Sequence, residues 1–264
     1  MQGYAAAYAR QAMAYIGQII GYKAQWEEDG QRYMEKRNPG GYMFSNADLR
    51  RLIFPLIVEQ ILAVSVGMVD TMMVSSVGEA ATSGVSLVDM VNTLFINIFA
   101  AVATGGAVVS SQYLGQKRQD RACQSADQLL IITGILSLAI MAVCIVFRRE
   151  FLSLLYRGVA EDVMRNARTY LVISAVSYPF LSVYNSCAAL FRSMGNSKIS
   201  MQASIIMNMI NVIGDSIFIF IFRWGVAGAA LASLISRMAA CFILLLRLRN
   251  RNLDIHIGTS LKMN

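Results

Sequence analysis

Among the ionisable residues inside stretches otherwise apolar enough to cross a bilayer, four stand out: Glu59, Asp70, Asp215 and Arg237. A charge at mid-bilayer costs about 2.5–3.5 kcal/mol even on lenient insertion scales, so each is a functional-site candidate by default. Glu59 and Asp70 are 11 residues apart, three helical turns, and share a face with Ala63 and Val66 between them. Ser204, Asn208, Asn211 and Asp215 follow at spacings of 4, 3 and 4, a polar stripe on a helix of Ile, Met and Phe. Asparagine supplies neutral oxygens and aspartate a charged one. That mixture suits a hard cation such as sodium, and equally a proton held on a desolvated carboxylate. The structural alternative is hydrogen bonding between helices.

Lesser signals surround these. Asp89 and Asn92 are neighbours across one turn, and Ser174, Tyr178, Asn185 and Arg192 share a face; both groups are expected to line a cavity. Arg237 follows Ser233 by one turn and lies too deep to reach water easily, so it either pairs with a buried carboxylate or meets a substrate. Pro55 removes a backbone hydrogen bond early in its helix and marks a bending point. The 16 methionines offer a pliable surface for varied ligands, or ordinary core filler.

Composition explains why these groups stand out. Of 264 residues, 56% are hydrophobic and 15% charged, and the mean hydropathy is +0.51; a soluble domain carries about 25% charged residues. The net charge of +7 is then a matter of membrane topology rather than of a nucleic-acid partner. Cys123, Cys144, Cys187 and Cys241 form no CxxC pair, and His256 is the single histidine. Neither a zinc site, a disulfide framework nor a histidine relay is indicated, and no cofactor is expected.

Six apolar blocks, at about 52–77, 86–112, 124–147, 168–190, 201–222 and 226–247, are each long enough to span hydrocarbon. With the N-terminus inside, 15 basic residues fall on the cytoplasmic side against 6 outside, which predicts a multi-pass protein of the cytoplasmic membrane with both termini cytoplasmic. The expected organisation is a 1–44 extension, a 45–250 transmembrane lobe and a 251–264 cytoplasmic tail. Within the extension, which shows no signal peptide, Tyr8, Ala12, Tyr15, Ile19, Tyr22 and Trp26 share one helical face, as in an amphipathic surface helix; a weakly ordered segment is the alternative.

The segment Phe44-Ser-Asn-Ala-Asp-Leu-Arg-Arg-Leu-Ile-Phe-Pro-Leu-Ile-Val-Glu-Gln60, followed by Val69-Asp-Thr-Met-Met-Val74, resembles the opening of a bacterial multidrug and toxic compound extrusion (MATE) transporter. The resemblance continues through Gly105-Gly106 with Ser110-Ser-Gln-Tyr-Leu-Gly115, Phe191-Arg-Ser-Met-Gly-Asn196, Asn211-Val-Ile-Gly-Asp215 and Gly225-Val-Ala-Gly-Ala-Ala-Leu-Ala-Ser233. It implies an all-α membrane protein, here one six-helix lobe of a twelve-helix architecture. It also implies export of cationic or amphiphilic compounds in exchange for sodium or protons. Carried over by position, Asp70, Asn211, Asp215 and Ser233 are the cation site of that lobe; Ser233 stands where a threonine is common. Glu59, Asn208, Tyr178, Asn185, Arg237 and Pro55 are cavity or gating candidates.

No second Pro-to-Asp pattern and no second Asn-x-x-x-Asp stripe follow, so the chain is expected to be a half-transporter that pairs with a second lobe or with itself, or a fragment of a longer product. The nearest rival is a flippase for a lipid-linked precursor in the same superfamily. An intramembrane aspartyl protease is disfavoured, because Asp215 follows Val212-Ile213-Gly214 without the first glycine of GxGD, and no Pro-Ala-Leu occurs. A scaffold with a decayed site is the remaining reading.

Overall fold

A computed structural model describes residues 46–257. The amphipathic helix expected around Tyr8 to Trp26 therefore lies outside the described residues. The chain divides between Phe54 and Pro55 into two units, the first described only as the opening of a helix. The elements are α1 (Asn46–Ser75), α2 (Glu79–Gly115), α3 (Gln119–Val146), α4 (Arg148–Leu155), α5 (Glu161–Ser193), α6 (Ser197–Asp215), a π-helical continuation of α6 (Ser216–Ile221) and α7 (Gly225–Leu248). No strand occurs among the described residues.

All six apolar blocks are helices long and apolar enough to cross a membrane. The shortest, at 24 residues, reaches about 36 Å against about 30 Å of hydrocarbon. The charged stretch 148–167, between the third and fourth apolar blocks, holds α4 and the first turns of α5. In α4 Leu152 is fully buried while Arg148, Arg149 and Glu150 face outward. Beyond it Tyr156 donates a hydrogen bond to the Leu87 carbonyl at 2.8 Å. At eight residues α4 is too short to be a span.

Helix α5 is the axis of the second unit: it packs on α2, α3, α4, α6 and α7, and 61% of its most apolar stretch is buried, against 6% for α1. Small and hydroxylated residues let neighbours close on it. Ser182 donates to the Thr133 carbonyl at 3.1 Å, and Ser186 to Thr133 Oγ1 at 3.1 Å, fastening α3 to α5. The α6–α7 contact is closer still: a Cβ on Gly214 would stand 2.9 Å from Ala232 Cβ, and one on Gly228 at 2.9 Å from Phe218 Cβ.

Two helices end in the same hydrogen-bonded cap. After α5, Asn196 N–H bonds Phe191 O and Gly195 N–H bonds Arg192 O, each at 2.9 Å, with Gly195 at φ 76°. After α2, Arg118 N–H bonds Tyr113 O at 3.0 Å and Lys117 N–H bonds Leu114 O at 2.9 Å, but here the left-handed residue is Lys117, at φ 58°.

The first residues of the expected tail are folded against the bundle. Ile255 is fully buried in the cluster that includes Leu190, Leu244 and Leu248. Gln119 Nε2 donates to the Asp254 carbonyl at 3.0 Å. Cys144, Cys187 and Cys241 are buried free thiols, and Cys123 lies 3.7 Å from His256 Nδ1. No group of three or more His, Cys, Asp or Glu is placed to hold a metal among the described residues.

Candidate functional site

Asp70 comes from the C-terminal half of α1 and Asp215 from the last residue of α6. The two carboxyls meet within hydrogen-bonding reach of each other. Asp215 is 1% exposed, and no N–H or O–H donor is aimed at either of its oxygens or at Asp70 Oδ1. Two acceptor-only carboxylates in contact repel at close range, so the arrangement is satisfied only by a proton shared between them or by a cation.

The fold explains why they meet. Along α6, the faces of Ser204, Asn208, Asn211 and Asp215 are all buried, while Ile206, Met209 and Ile213 are exposed on the opposite side. The polar stripe therefore points into the protein and the aliphatic face points out. Asn211 Nδ2 donates to Ser233 Oγ on α7 at 3.3 Å, one turn from Asp215. The close approach of Gly214 to Ala232 sets this register. At Asp215 the helix changes to π winding, which re-aims the residues of one turn, as single π-turns near functional sites commonly do.

Arg237, one turn beyond Ser233, donates through Nη1 to Ser177 Oγ at 2.6 Å, and its charge acts on Asp70 and on Asp89. Asp89 accepts from Asn92 Nδ2 at 3.3 Å and lies beside the Tyr170 hydroxyl. Tyr178, fully buried, donates to Asn92 Oδ1 at 2.6 Å. Thus Asp70, Asn211, Asp215, Ser233, Arg237 and, through Asn92, Tyr178 share one polar region built from α1, α2, α5, α6 and α7.

Glu59, Asn208 and the α5 residue Asn185 do not join that network. Glu59 Oε2 pairs with Arg192 Nη1 at 3.6 Å, beside Ser200, and the charge of Glu59 acts on Tyr184. Asn208 Nδ2 donates to Ser204 Oγ at 3.4 Å, and Tyr184 also meets Ser204. The stripe on α6 therefore serves two separate polar regions, one at each end. Asn185 Nδ2 is buried with no acceptor. Pro55 is buried, and α1 runs through it as an unbroken helix. Spacing and composition alone do not mark Ser177, Tyr170 or Ser200. Hydroxyls on helices are too common to stand out until the facing charge is known.

The chain and its fold are similar to known proteins. The chain is 29% identical over 231 residues to the uncharacterized transporter YisQ of Bacillus subtilis, which covers 86% of this chain and 49% of that one. It is 26% identical over 196 residues to the probable multidrug resistance protein NorM of Bacillus licheniformis, covering 73% and 43%. The fold superposes on an outward-facing multidrug resistance MATE family transporter of the MOP superfamily with a TM-score of 0.75 at 22% identity, over 80% of this chain and 47% of that one. The chain spans about half the length of the relatives it matches. Members of this group are transporters and not enzymes. The MatE family profile matches residues 55–217, the stretch that holds Pro55, Asp70, Asn211 and Asp215, and by that match this multi-pass membrane chain belongs to the MatE family.

Proposed function

We propose that the chain forms one lobe of a secondary antiporter that expels cationic or amphiphilic organic compounds in exchange for sodium or protons. The observation that carries this reading is the buried, donor-less contact of Asp70 with Asp215. The pair needs one positive charge to lose its repulsion, and one sodium ion or one proton supplies it. For sodium, the carboxylate oxygens of Asp70 and Asp215 with the amide oxygen of Asn211 form a hard oxygen donor set, and Ser233 orients the amide. Loading the pair removes the repulsion between α1 and α6. Bending of α1 near Pro55 then reshapes a cavity between this lobe and a second one, which exposes alternate sides of the membrane. Two lobes about a two-fold axis, either a second lobe of a longer product or a second copy of this chain, close that cavity.

The basic-residue bias supports an orientation with both termini on the cytoplasmic side. The flippase alternative draws no support from the multidrug resistance proteins to which the chain is similar. The test is efflux of a fluorescent organic cation from proteoliposomes holding the chain, under imposed sodium or proton gradients, with Asp215→Asn beside it. Gradient-driven efflux that the variant loses is the expected result, and the effective gradient names the ion. Equal efflux by the variant contradicts the reading.

A further inference from the structure

Close to the carboxylate pair lies a cation that belongs to the protein. Ser233 and Arg237 follow one another by a turn on α7: Ser233 Oγ accepts from Asn211 at 3.3 Å, next to the pair, and Arg237 Nη1 donates to Ser177 Oγ at 2.6 Å. Ser177 adjoins Tyr178, which holds Asn92 at 2.6 Å, and Asn92 holds the third acid, Asp89, at 3.3 Å. The guanidinium attracts both Asp70 and Asp89. It closes a direct ion pair with neither among the described residues, where its bonded partner is the neutral Ser177. Both oxygens of the 1%-exposed Asp215 remain without a donor, so Arg237 does not fill the site.

A fixed positive charge this close would repel any cation arriving at Asp70 and Asp215, unless a counter-charge shields it. Asp89 is placed to do that, pinned by Asn92 and Tyr170. We propose that Arg237 is a tethered competitor for the coupling cation, held back from the Asp70–Asp215 pair by Asp89. In the unloaded lobe the guanidinium lends the pair part of the charge it lacks, and an arriving ion displaces that influence toward Asp89. Ion affinity is thereby kept low enough for release, a requirement of any carrier that must let its ion go. The inference rests on the cation-site reading above and adds the group that sets the affinity.

The test is equilibrium binding of radioactive sodium to the purified chain in lipid nanodiscs at fixed pH. Removing the competitor with Arg237→Gln is expected to tighten binding about tenfold, the size of one partly screened charge interaction, whereas Arg237→Lys, which keeps the charge, stays near wild type. Asp89→Asn is expected to weaken binding by about the same factor. The double variant Asp89→Asn with Arg237→Gln should bind like Arg237→Gln alone, because Asp89 then has nothing to restrain. Binding that is weaker or unchanged in Arg237→Gln overturns the proposal. So does an Asp89→Asn loss that is equal in both backgrounds, which would mean that Asp89 acts by its own field. If Arg237→Gln does not fold, Ser177→Ala and Asp89→Asn must both weaken binding by releasing the guanidinium, and unchanged binding in either overturns it. Asp215→Asn separates the two levels: sodium binding that survives there refutes the cation site itself, while the comparison of Arg237 variants judges the competitor.

Discussion

Asp70 and Asp215 are 145 positions apart in the sequence, on helices α1 and α6, yet their carboxyls face each other with no donor at either Asp215 oxygen. Helix α1 is the least buried of the spans, so little apolar packing opposes its motion relative to α6. A pair whose interaction changes from repulsive to attractive on gaining one charge is then well placed to move it.

The Tyr178 hydroxyl bonds Asn92 Oδ1 at 2.6 Å in a fully buried position. Tyr178→Phe keeps the ring, which packs against Phe95 and Phe99, and leaves the amide oxygen unsatisfied. The expected cost is about 1–2 kcal/mol, read as a lower unfolding midpoint in detergent with the fold retained.

Glu59 and Arg192 tie α1 to the end of α5 at 3.6 Å, with side-chain exposures of 16% and 31%. A double-mutant cycle with Glu59→Gln and Arg192→Gln is expected to give a coupling of about 1 kcal/mol, modest because the pair is partly solvated. Additive losses would show that the pair does not hold the helices together.

Lys117 carries the left-handed conformation that Gly195 carries in the matching cap of α5. Lys117→Gly relieves the side-chain clash of that conformation and is expected to raise stability by about 1 kcal/mol, with transport unchanged.

Gly214 is a point of close approach between α6 and α7, with Ala232 Cβ 2.9 Å from the position a Cβ would take. Gly214→Val forces the helices apart and should cost about 1–3 kcal/mol. It also shifts Asn211 from Ser233, so sodium binding is expected to fall more than the stability loss alone would produce.

Much of this is legible in the sequence. The six spans follow from runs of apolar residues, since a bilayer admits few other structures. The stripe from Ser204 to Asp215 is a period of 3.6 written in polar residues, the expense of burying charge marks Asp70 as a candidate, and its grouping with the stripe is what the resemblance implies. What was not legible has physical reasons. Helix α4 is too short and charged to register as apolar, and it forms because Leu152 finds a buried site. The π turn after Asp215 lies where Phe218 meets Gly228 on the next helix, a contact that the spacing along one helix does not reveal. The split of the α6 stripe, Asn208 toward Ser204 and Asn211 toward Ser233, depends on which helix faces each turn. Spacing along one helix cannot carry that information.

The most direct measurement of the central claim is gradient-driven efflux by Asp70→Asn, Asp215→Asn and the double variant, compared at equal amounts of folded protein in proteoliposomes. If the two carboxyls hold one shared cation, each single variant loses coupled transport and the double variant is no worse than either, as residues acting as one unit behave. Coupled efflux persisting in either single variant, or losses that simply add, would contradict a shared site at Asp70 and Asp215.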